Sequence, residues 1–303
     1  MRTNIALVSD QIAMDFLVPA FRERFPEADL RLADTREQRL GALEEIDTVV
    51  CWSPPPGLLA RMPGLRLVQS VGAGIDHITR DPCLPDVPVC RIVDPDMTAG
   101  MTAYLAWAVV HGQRHMGGYI DSQRRAAWEK APIVPPGRHG VGIAGLGVLG
   151  QSAARALAAI GYAVRGWSRS PKDDLPAGVE AFHGDAGREQ FLAGCDTLVC
   201  LLPLTEATRG VLNAELFAQL PRGAHLVNAG RGAHLVQHDL LAALESGQLA
   251  SAVLDAFIEE PLPPAHRFWH HPRITVTPHV ATLTTPEAIA RQTHENLARL
   301  RRG

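Results

Sequence analysis

The sequence predicts an α/β fold with two domains, each a doubly wound parallel sheet covered by helices. Short apolar runs alternate with amphipathic stretches in the first third, and a second series of the same kind begins at His139. Alternation of this kind is typical of βαβ units. A length of 303 residues also suits two domains better than a single core.

The first series contains five candidate strands and one candidate helix. The helix is predicted over Ile12–Phe25. From Met97 to Arg114 the pattern is helical again, and the cluster Pro135–Gly137 then interrupts the chain, so we expect a domain boundary in this stretch. The strands are predicted at Asn4–Ser9, Asp29–Ala33, Asp47–Trp52, Leu65–Val71 and Val87–Ile92.

The second series contains six candidate strands, which is the number in a full doubly wound dinucleotide-binding domain. Helical stretches separate most of them. The strands are predicted at His139–Gly145, Tyr162–Ser168, Asp196–Leu202, Ala224–Gly230, Leu249–Phe257 and Arg273–His279.

The composition favours a globular protein with a small-molecule ligand. Apolar residues make up 46% and charged residues 20%, and the net charge of -3 gives no basic excess for nucleic acid. No apolar run approaches the roughly 18 residues of a membrane span, and the first residues lack a signal-peptide core. We therefore expect a cytoplasmic protein without nucleic-acid or membrane partners.

The cysteines and histidines do not predict a metal site. The five cysteines form no C-x-x-C pair, which argues against a disulfide framework or a thiolate zinc site. His111 and His115 have the i, i+4 spacing of a chelating pair, but no H-E-x-x-H sequence accompanies them. An exposed or interface face of a helix explains them more simply.

A G-x-G-x-x-G pattern follows the first strand of the second series. Gly145 permits a tight turn, Gly147 lets the backbone approach a pyrophosphate, and Gly150 allows close packing of helix and strand. Val148 and Leu149, between these glycines, join the predicted cofactor contacts. The alternative is a glycine-rich turn without a ligand.

The next strand ends without the acidic residue that usually binds the adenosine ribose of NAD, about 20 residues beyond the glycines. Ser168, Arg169 and Ser170 stand there instead and supply donors and a positive charge. They favour a 2′-phosphate, so NADPH is predicted in preference to NADH. Asp173 and Asp174 weaken the positive field, and an exposed Arg169 without a ligand is the alternative.

Three polar residues follow the last three predicted strands, where ligands of open α/β sheets bind. Arg231 suits the carboxylate and carbonyl of a 2-oxo acid, and His279 suits protonation of the carbonyl oxygen. A carboxylate from the loop after Asp255 would orient the histidine and raise its pKa. Taken singly, Arg231 could be a turn residue, the loop acids could be solvated and His279 could cap a strand.

Gly72, Ala73 and Gly74 follow a strand of the first series and carry almost no side chain. Their backbone N–H groups are predicted to bind a substrate carboxylate as a nest, with a plain small-residue turn as the alternative. Trp52, at another strand end, is either a wall of the substrate pocket or a core residue.

Seven segments in the same order resemble the D-isomer-specific 2-hydroxyacid dehydrogenases nearly end to end, and the likeness is greatest to glyoxylate/hydroxypyruvate reductases. The segments are VGAGIDH from Val71, GLGVLG from Gly145, GWSRS from Gly166, LLPLTEAT from Leu201, NAGRG from Asn228, LDAFIEEPLPP from Leu254 and TPHVA from Thr277.

The resemblance implies a role for each site residue. Arg231 would bind the substrate, His279 would donate the proton, and Glu260, directly before Pro261, would pair with the histidine. Three further residues would contact the cofactor, with Asp255 near the nicotinamide carboxamide and Pro203 and Ala229 along its length.

The resemblance also implies the domain layout. A Rossmann domain at 100–281 would be inserted into a flavodoxin-like substrate domain made of 1–99 and 282–303. The stretch from Met97 to Lys130 resembles the dimerisation arm of the family, with Trp128 as an interface anchor, so a homodimer is expected.

The combined prediction is a reductase of glyoxylate, hydroxypyruvate or another short 2-oxo acid to the D-2-hydroxy acid, with NADP as the preferred cofactor and NAD as the alternative. Ala103 departs from the acid of close relatives, with no clear consequence. Alternatives are a dehydrogenase for phosphoglycerate, formate or bulkier 2-hydroxy acids, or a nucleotide-sensing protein like the corepressors that resemble this family. A long tail or an extended partner-binding surface would favour the last.

Overall fold

A computed structural model describes residues 3–36 and 38–302 of the chain. The contacts divide it into two compact units, one running to Met97 and resuming at Leu283, and the other spanning Thr98–Thr282. The domain boundaries predicted after residues 99 and 281 stay a prediction. Residues 1, 2, 37 and 303 of the predicted ranges lie outside the described residues.

The first unit is built on a six-stranded sheet. Its strands are β1 (Asn4–Ser9), β2 (Asp29–Ala33), β3 (Gln38–Arg39), β4 (Thr48–Trp52), β5 (Leu67–Ser70) and β6 (Val89–Cys90). They lie in the order β3-β2-β1-β4-β5-β6. Only the β2–β3 pair is antiparallel among the described strands. β3 was not predicted, because two exposed polar residues carry no apolar pattern.

The second unit is built on a seven-stranded sheet whose strand pairs are all parallel in the described chain. Its strands are β7 (Gly140–Ala144), β8 (Ala163–Ser168), β9 (Val179–His183), β10 (Thr197–Cys200), β11 (Ala224–Asn228), β12 (Leu249–Leu254) and β13 (Ile274–Val276). They lie in the order β13-β12-β11-β10-β7-β8-β9. The six predicted strands are present, and the seventh, β9, is a largely exposed edge strand without a continuous apolar run.

Helices alternate with strands along much of the chain, as the sequence predicts, and α9 follows the last strand. They are α1 (Val18–Arg24), α2 (Asp76–Thr79), α3 (Pro95–Gln113), α4 (Met116–Arg124), α5 (Val148–Ile160), α6 (Gly184–Leu192), α7 (Ala214–Ala218), α8 (Gln237–Glu245) and α9 (Pro286–Leu300). α1 is shorter than the helix predicted over 12–25. Pro19 lies in its first turn, where the fixed φ of proline and its missing N–H favour a helix start.

The second sheet is buried on both faces. In β10, Leu198 and Cys200 belong to one apolar cluster, and Val199 between them belongs to another. Because successive strand residues point to opposite faces, each face has its own helical cover. This confirms the predicted doubly wound α/β class. It also places the carboxyl ends of all these parallel strands at one edge, where the site residues follow β7, β8, β10, β11, β12 and β13.

Candidate active site

The glycine loop after β7 has the shape that a dinucleotide requires. Gly145 has a φ of +111°, and a Cβ there would lie 2.7 Å from the carbonyl oxygen of Leu201. A Cβ at Gly150 would lie 2.0 Å from the carbonyl oxygen of Gly145, so neither glycine can be replaced without a backbone shift. Gly147 faces open space at the N-cap of α5. The loop therefore leaves room for a pyrophosphate beside free helical N–H groups.

The loop after β8 leaves the guanidinium of Arg169 available to a ligand. Ser168 is buried, and its hydroxyl donates to the carbonyl of Ser170 at 2.8 Å, so its proton is used within the loop. Arg169 is exposed and forms no ion pair within residues 3–36 and 38–302. Of the predicted phosphate ligands, the guanidinium of Arg169 is therefore the group free to pair with a charge.

The turn after β11 holds Arg231 from both sides. The side-chain amide of Asn228 donates to the Arg231 carbonyl at 3.0 Å, and the Arg231 N–H donates to Nδ1 of His234 at 3.1 Å. A Cβ at the next residue, Gly232, would lie 1.9 Å from the carbonyl carbon of Phe257. The arginine turn thus packs backbone to backbone against the loop that leads to Glu260.

Glu260 and His279 form a hydrogen-bonded pair. Nδ1 of His279 lies 2.8 Å from Oε2 of Glu260, and 34% of each side chain is exposed. The other carboxylate oxygen accepts the Phe257 N–H at 2.8 Å. Burial raises the pKa of Glu260, but the bonds from His279 and Phe257 and the charges of His279 and Arg231 outweigh it and hold this pKa below its usual value. Glu259 is exposed.

Asp255 is buried at the end of β12, with 1% of its surface exposed. Its carboxylate accepts the backbone N–H groups of Val280 and Ala281, each at 2.9 Å. Thr277, which the sequence analysis did not assign to the site, donates its hydroxyl to the same carboxylate at 2.7 Å. Its position directly after β13 was the available signal. Oδ1 of Asp255 accepts two of these bonds and Oδ2 accepts one, so Oδ2 keeps a lone pair for a second donor such as a carboxamide.

In the first unit, some backbone groups of the Gly72–Gly74 loop are hydrogen-bonded to the nearby Ser70 side chain. The Gly72 N–H donates to Oγ of Ser70 at 3.1 Å, and that hydroxyl donates to the Gly74 carbonyl at 2.9 Å. In the described part of the chain, the N–H groups of Ala73 and Gly74 make no hydrogen bond. Two of the three predicted donors therefore remain for a ligand. Trp52 packs against His77, with ring centroids 4.2 Å apart and the ring planes tilted by 37°, and is half-buried.

The remaining predicted contacts line the same edge of the second sheet with varied exposure. Val148 and Pro203 are exposed, and Leu149 and Ala229 are half-buried.

The predicted metal and membrane features can also be compared with the structure. Nε2 of His111 lies 3.2 Å from the Thr275 hydroxyl. Within the described residues, no group of three or more His, Cys, Asp or Glu side chains is arranged to hold a metal. No described helix is long and apolar enough to cross a bilayer.

Comparison with known proteins identifies the second unit at the level of family. Residues 106–281 match the model of the D-isomer specific 2-hydroxyacid dehydrogenase NAD binding domain. The chain is 42% identical to glyoxylate/hydroxypyruvate reductase A of Serratia proteamaculans, a match that covers 93% of this chain and 90% of that one. Identity to the same enzyme of Yersinia enterocolitica is 40%, over 91% of this chain and 90% of the relative.

Solved structures agree with that assignment. A D-isomer specific 2-hydroxyacid dehydrogenase of Xanthobacter autotrophicus, in complex with NADPH and MES, has a TM-score of 0.92 at 38% identity, covering 100% of this chain and 96% of that one. An NADPH-dependent glyoxylate/hydroxypyruvate reductase of Sinorhizobium meliloti, in complex with NADP and sulfate, has a TM-score of 0.91 at 38% identity with the same coverage. The chain therefore belongs to the D-isomer specific 2-hydroxyacid dehydrogenase family.

Proposed function

We propose that this chain is an NADPH-preferring reductase that converts glyoxylate, hydroxypyruvate or another short 2-oxo acid to the D-2-hydroxy acid. The observation that carries the proposal is the hydrogen bond between His279 and Glu260 beside the charge of Arg231. Relatives 40–42% identical over more than nine-tenths of the chain are named for this activity. Two solved relatives contain NADPH or NADP.

The glycine loop and Arg169 would hold the nucleotide. Pyrophosphate would lie at Gly145, Gly147 and the start of α5, and the 2′-phosphate would pair with Arg169. Pro203, Ala229 and Asp255 would contact the remainder of the cofactor. The bound nucleotide supplies the hydride.

The polar residues of the site divide the remaining work. Arg231 would bind the carboxylate and carbonyl oxygen of the substrate and stabilise the negative charge that develops on that oxygen. Because Nδ1 of His279 is hydrogen-bonded to the Glu260 carboxylate, which only accepts, Nδ1 carries a proton, and in the charged imidazolium Nε2 carries the second proton. His279 would therefore protonate the alkoxide from Nε2, with Glu260 orienting the ring and stabilising its charged form. The N–H groups of Ala73 and Gly74 are further proposed substrate contacts.

The finer expectations belong to the same proposal. A homodimer is proposed through the arm that contains α4, because the side chain of Trp128 is 93% exposed and a large aromatic residue is typical of an interface core. Light scattering of the protein and of Trp128→Ala would test it. A cytoplasmic location is proposed because the nicotinamide pool that an NADPH-dependent reductase consumes lies inside the cell, and fractionation would test it.

The decisive experiment is a substrate and cofactor panel. NADPH oxidation is measured with glyoxylate, hydroxypyruvate, pyruvate and phenylpyruvate, and each assay is repeated with NADH. We expect the highest kcat/KM for glyoxylate or hydroxypyruvate with NADPH. Equal or better turnover of phenylpyruvate would reassign the substrate class, and better use of NADH would reassign the cofactor.

A further inference from the structure

We propose that Tyr104 and Thr277 are positioning residues, which hold the proton donor His279 in place through the carboxylate of Asp255. The inference rests on the proposed function, in which His279 supplies the proton. It concerns the backbone around the histidine, whereas Glu260 acts on the imidazole ring.

The turn that carries His279 needs external support. His279 has a φ of +55°, in the left-handed region that residues other than glycine rarely adopt. Its own N–H donates to the Thr277 carbonyl at 3.0 Å. The next two N–H groups, of Val280 and Ala281, both donate to Asp255. A buried carboxylate thus fixes the chain immediately after the histidine.

The Thr277 hydroxyl connects Asp255 to helix α3, and chemistry fixes the direction of both hydrogen bonds. A carboxylate only accepts, so at 2.7 Å the Thr277 hydroxyl must donate to Asp255. That hydroxyl has a single proton, so at 2.7 Å from the Tyr104 oxygen it must accept, and Tyr104 must donate. Three donors, Thr277, Val280 and Ala281, therefore meet one carboxylate on both sides of His279.

Tyr104 is suited to be the outer end of this chain. Burial raises the pKa of its phenol and the charge of Asp255 adds to the rise, so the hydroxyl keeps its proton at neutral pH. Its ring packs against Trp107 of the same helix, with centroids 5.4 Å apart. The phenol is therefore held by a long helix while its proton is directed at the site.

The consequence is kinetic. Proton transfer depends on placing Nε2 within a few tenths of an ångström of the substrate oxygen, and the left-handed turn sets that position. Loss of the hydroxyl chain would let the turn relax without removing Arg231 or the glycine loop. We expect a lower kcat, little change in KM, and proton transfer that becomes more strongly rate-limiting.

The test compares Thr277→Val with Thr277→Ser and Tyr104→Phe. For reduction of glyoxylate we expect kcat to fall about 10- to 30-fold in Thr277→Val and about three- to tenfold in Tyr104→Phe, with the KM for NADPH within about twofold. The solvent deuterium isotope effect on kcat should rise in both. Thr277→Ser keeps the hydroxyl and should stay within about threefold of the unchanged protein.

The matched control is Thr275→Val, two residues earlier on β13. It makes the same chemical change at a hydroxyl that contacts His111 instead of Asp255. Its kcat and isotope effect should be unchanged. Equal losses in Thr277→Val and Thr277→Ser, or a loss shared by Thr275→Val, would overturn the proposal, because each would mean that strand packing and not the hydroxyl chain is responsible.

A second readout is independent of turnover. In protein with ¹⁵N-labelled histidine, Thr277→Val should shift or broaden the His279 ring resonances, and Thr275→Val should not. If the unchanged protein reduces no 2-oxo acid, the proposed function fails while this spectrum still decides the positioning proposal. His279 resonances that stay unchanged in Thr277→Val would refute the positioning proposal even in an active enzyme.

Discussion

Histidines lie at both edges of the second sheet, but they differ in burial and in hydrogen-bond partner. At the carboxyl edge, His279 is a third exposed and bonded to a carboxylate. At the amino edge, His139 and His225 are buried and bonded to hydroxyls, of Thr197 and Ser251, each at 2.8 Å. Burial lowers the pKa of both, that of His225 to about 4 with further lowering from His139, His115 and His111. The partner of a histidine, and not its presence, therefore separates a candidate acid from a structural residue.

Replacing one histidine at each edge should give the largest difference in kcat between the two edges. His279→Gln removes the proposed proton donor, so kcat for glyoxylate reduction should fall by about 10²- to 10⁴-fold, as for loss of a general acid. His225→Gln, which can still bond Ser251, should keep kcat within about twofold. Steady-state kinetics of the two variants measures both. Similar losses would mean that the carboxyl edge is not the reacting edge.

Arg231→Lys keeps the charge but loses the planar fork that matches a carboxylate. We expect a loss of about 2 to 4 kcal/mol of transition-state stabilisation in kcat/KM for glyoxylate. A decrease smaller than about threefold would reassign Arg231 to a structural turn residue. Arg209→Lys, at an exposed arginine with one long contact to Glu206, is the control and should be silent.

The buried histidine His225 at the amino edge should make the free energy of unfolding depend on pH. Since the pKa of His225 is lowered to about 4 in the folded chain, only the unfolded chain binds the proton between about pH 6.5 and 4. The contribution of neutral His225 to the free energy of unfolding is complete above about pH 6.5 and is lost as the pH falls toward 4. Between pH 7 and pH 5 this loss should be about 2 kcal/mol. Urea unfolding at both pH values should show a smaller loss for His225→Gln, and equal losses would contradict the assignment.

Glu260→Gln should produce the smallest of these effects. The pKa of Glu260 lies below its usual value, so its charge persists through neutral pH and is lost only as the pH falls below about 4.5. Glu260→Gln removes this charge at every pH. The decrease in kcat/KM for reduction that follows protonation of Glu260 at low pH should therefore be missing from the profile of the variant. The same decrease at low pH in both proteins would contradict a contribution of the Glu260 charge to reduction.

The features that the sequence predicted are those that short segments of the chain determine by themselves. Continuous apolar runs predicted β1, β4 and β10, and polar residues at strand ends predicted the edge on which Arg231, Glu260 and His279 meet. β9 escaped because its exposed alternating residues resemble a loop. The hydrogen-bond partners of buried polar groups were also not predicted. Tyr104 lies 173 positions from Thr277, and a bond between them depends on how α3 packs, which sequence spacing does not contain.

Gly232 has a consequence for redesigning this enzyme. With only 1.9 Å between a Cβ placed on Gly232 and the carbonyl carbon of Phe257, no side chain sets the spacing between the Arg231 turn and the loop that leads to Glu260. The chain itself is the spacer, so evolution or engineering cannot adjust that distance by choosing a longer or shorter side chain. Any residue larger than glycine would act as a wedge that separates Arg231 from Glu260. New substrate specificity is therefore more accessible through the side chains around Arg231 and the Glu260–His279 pair than through the distance between these two centres.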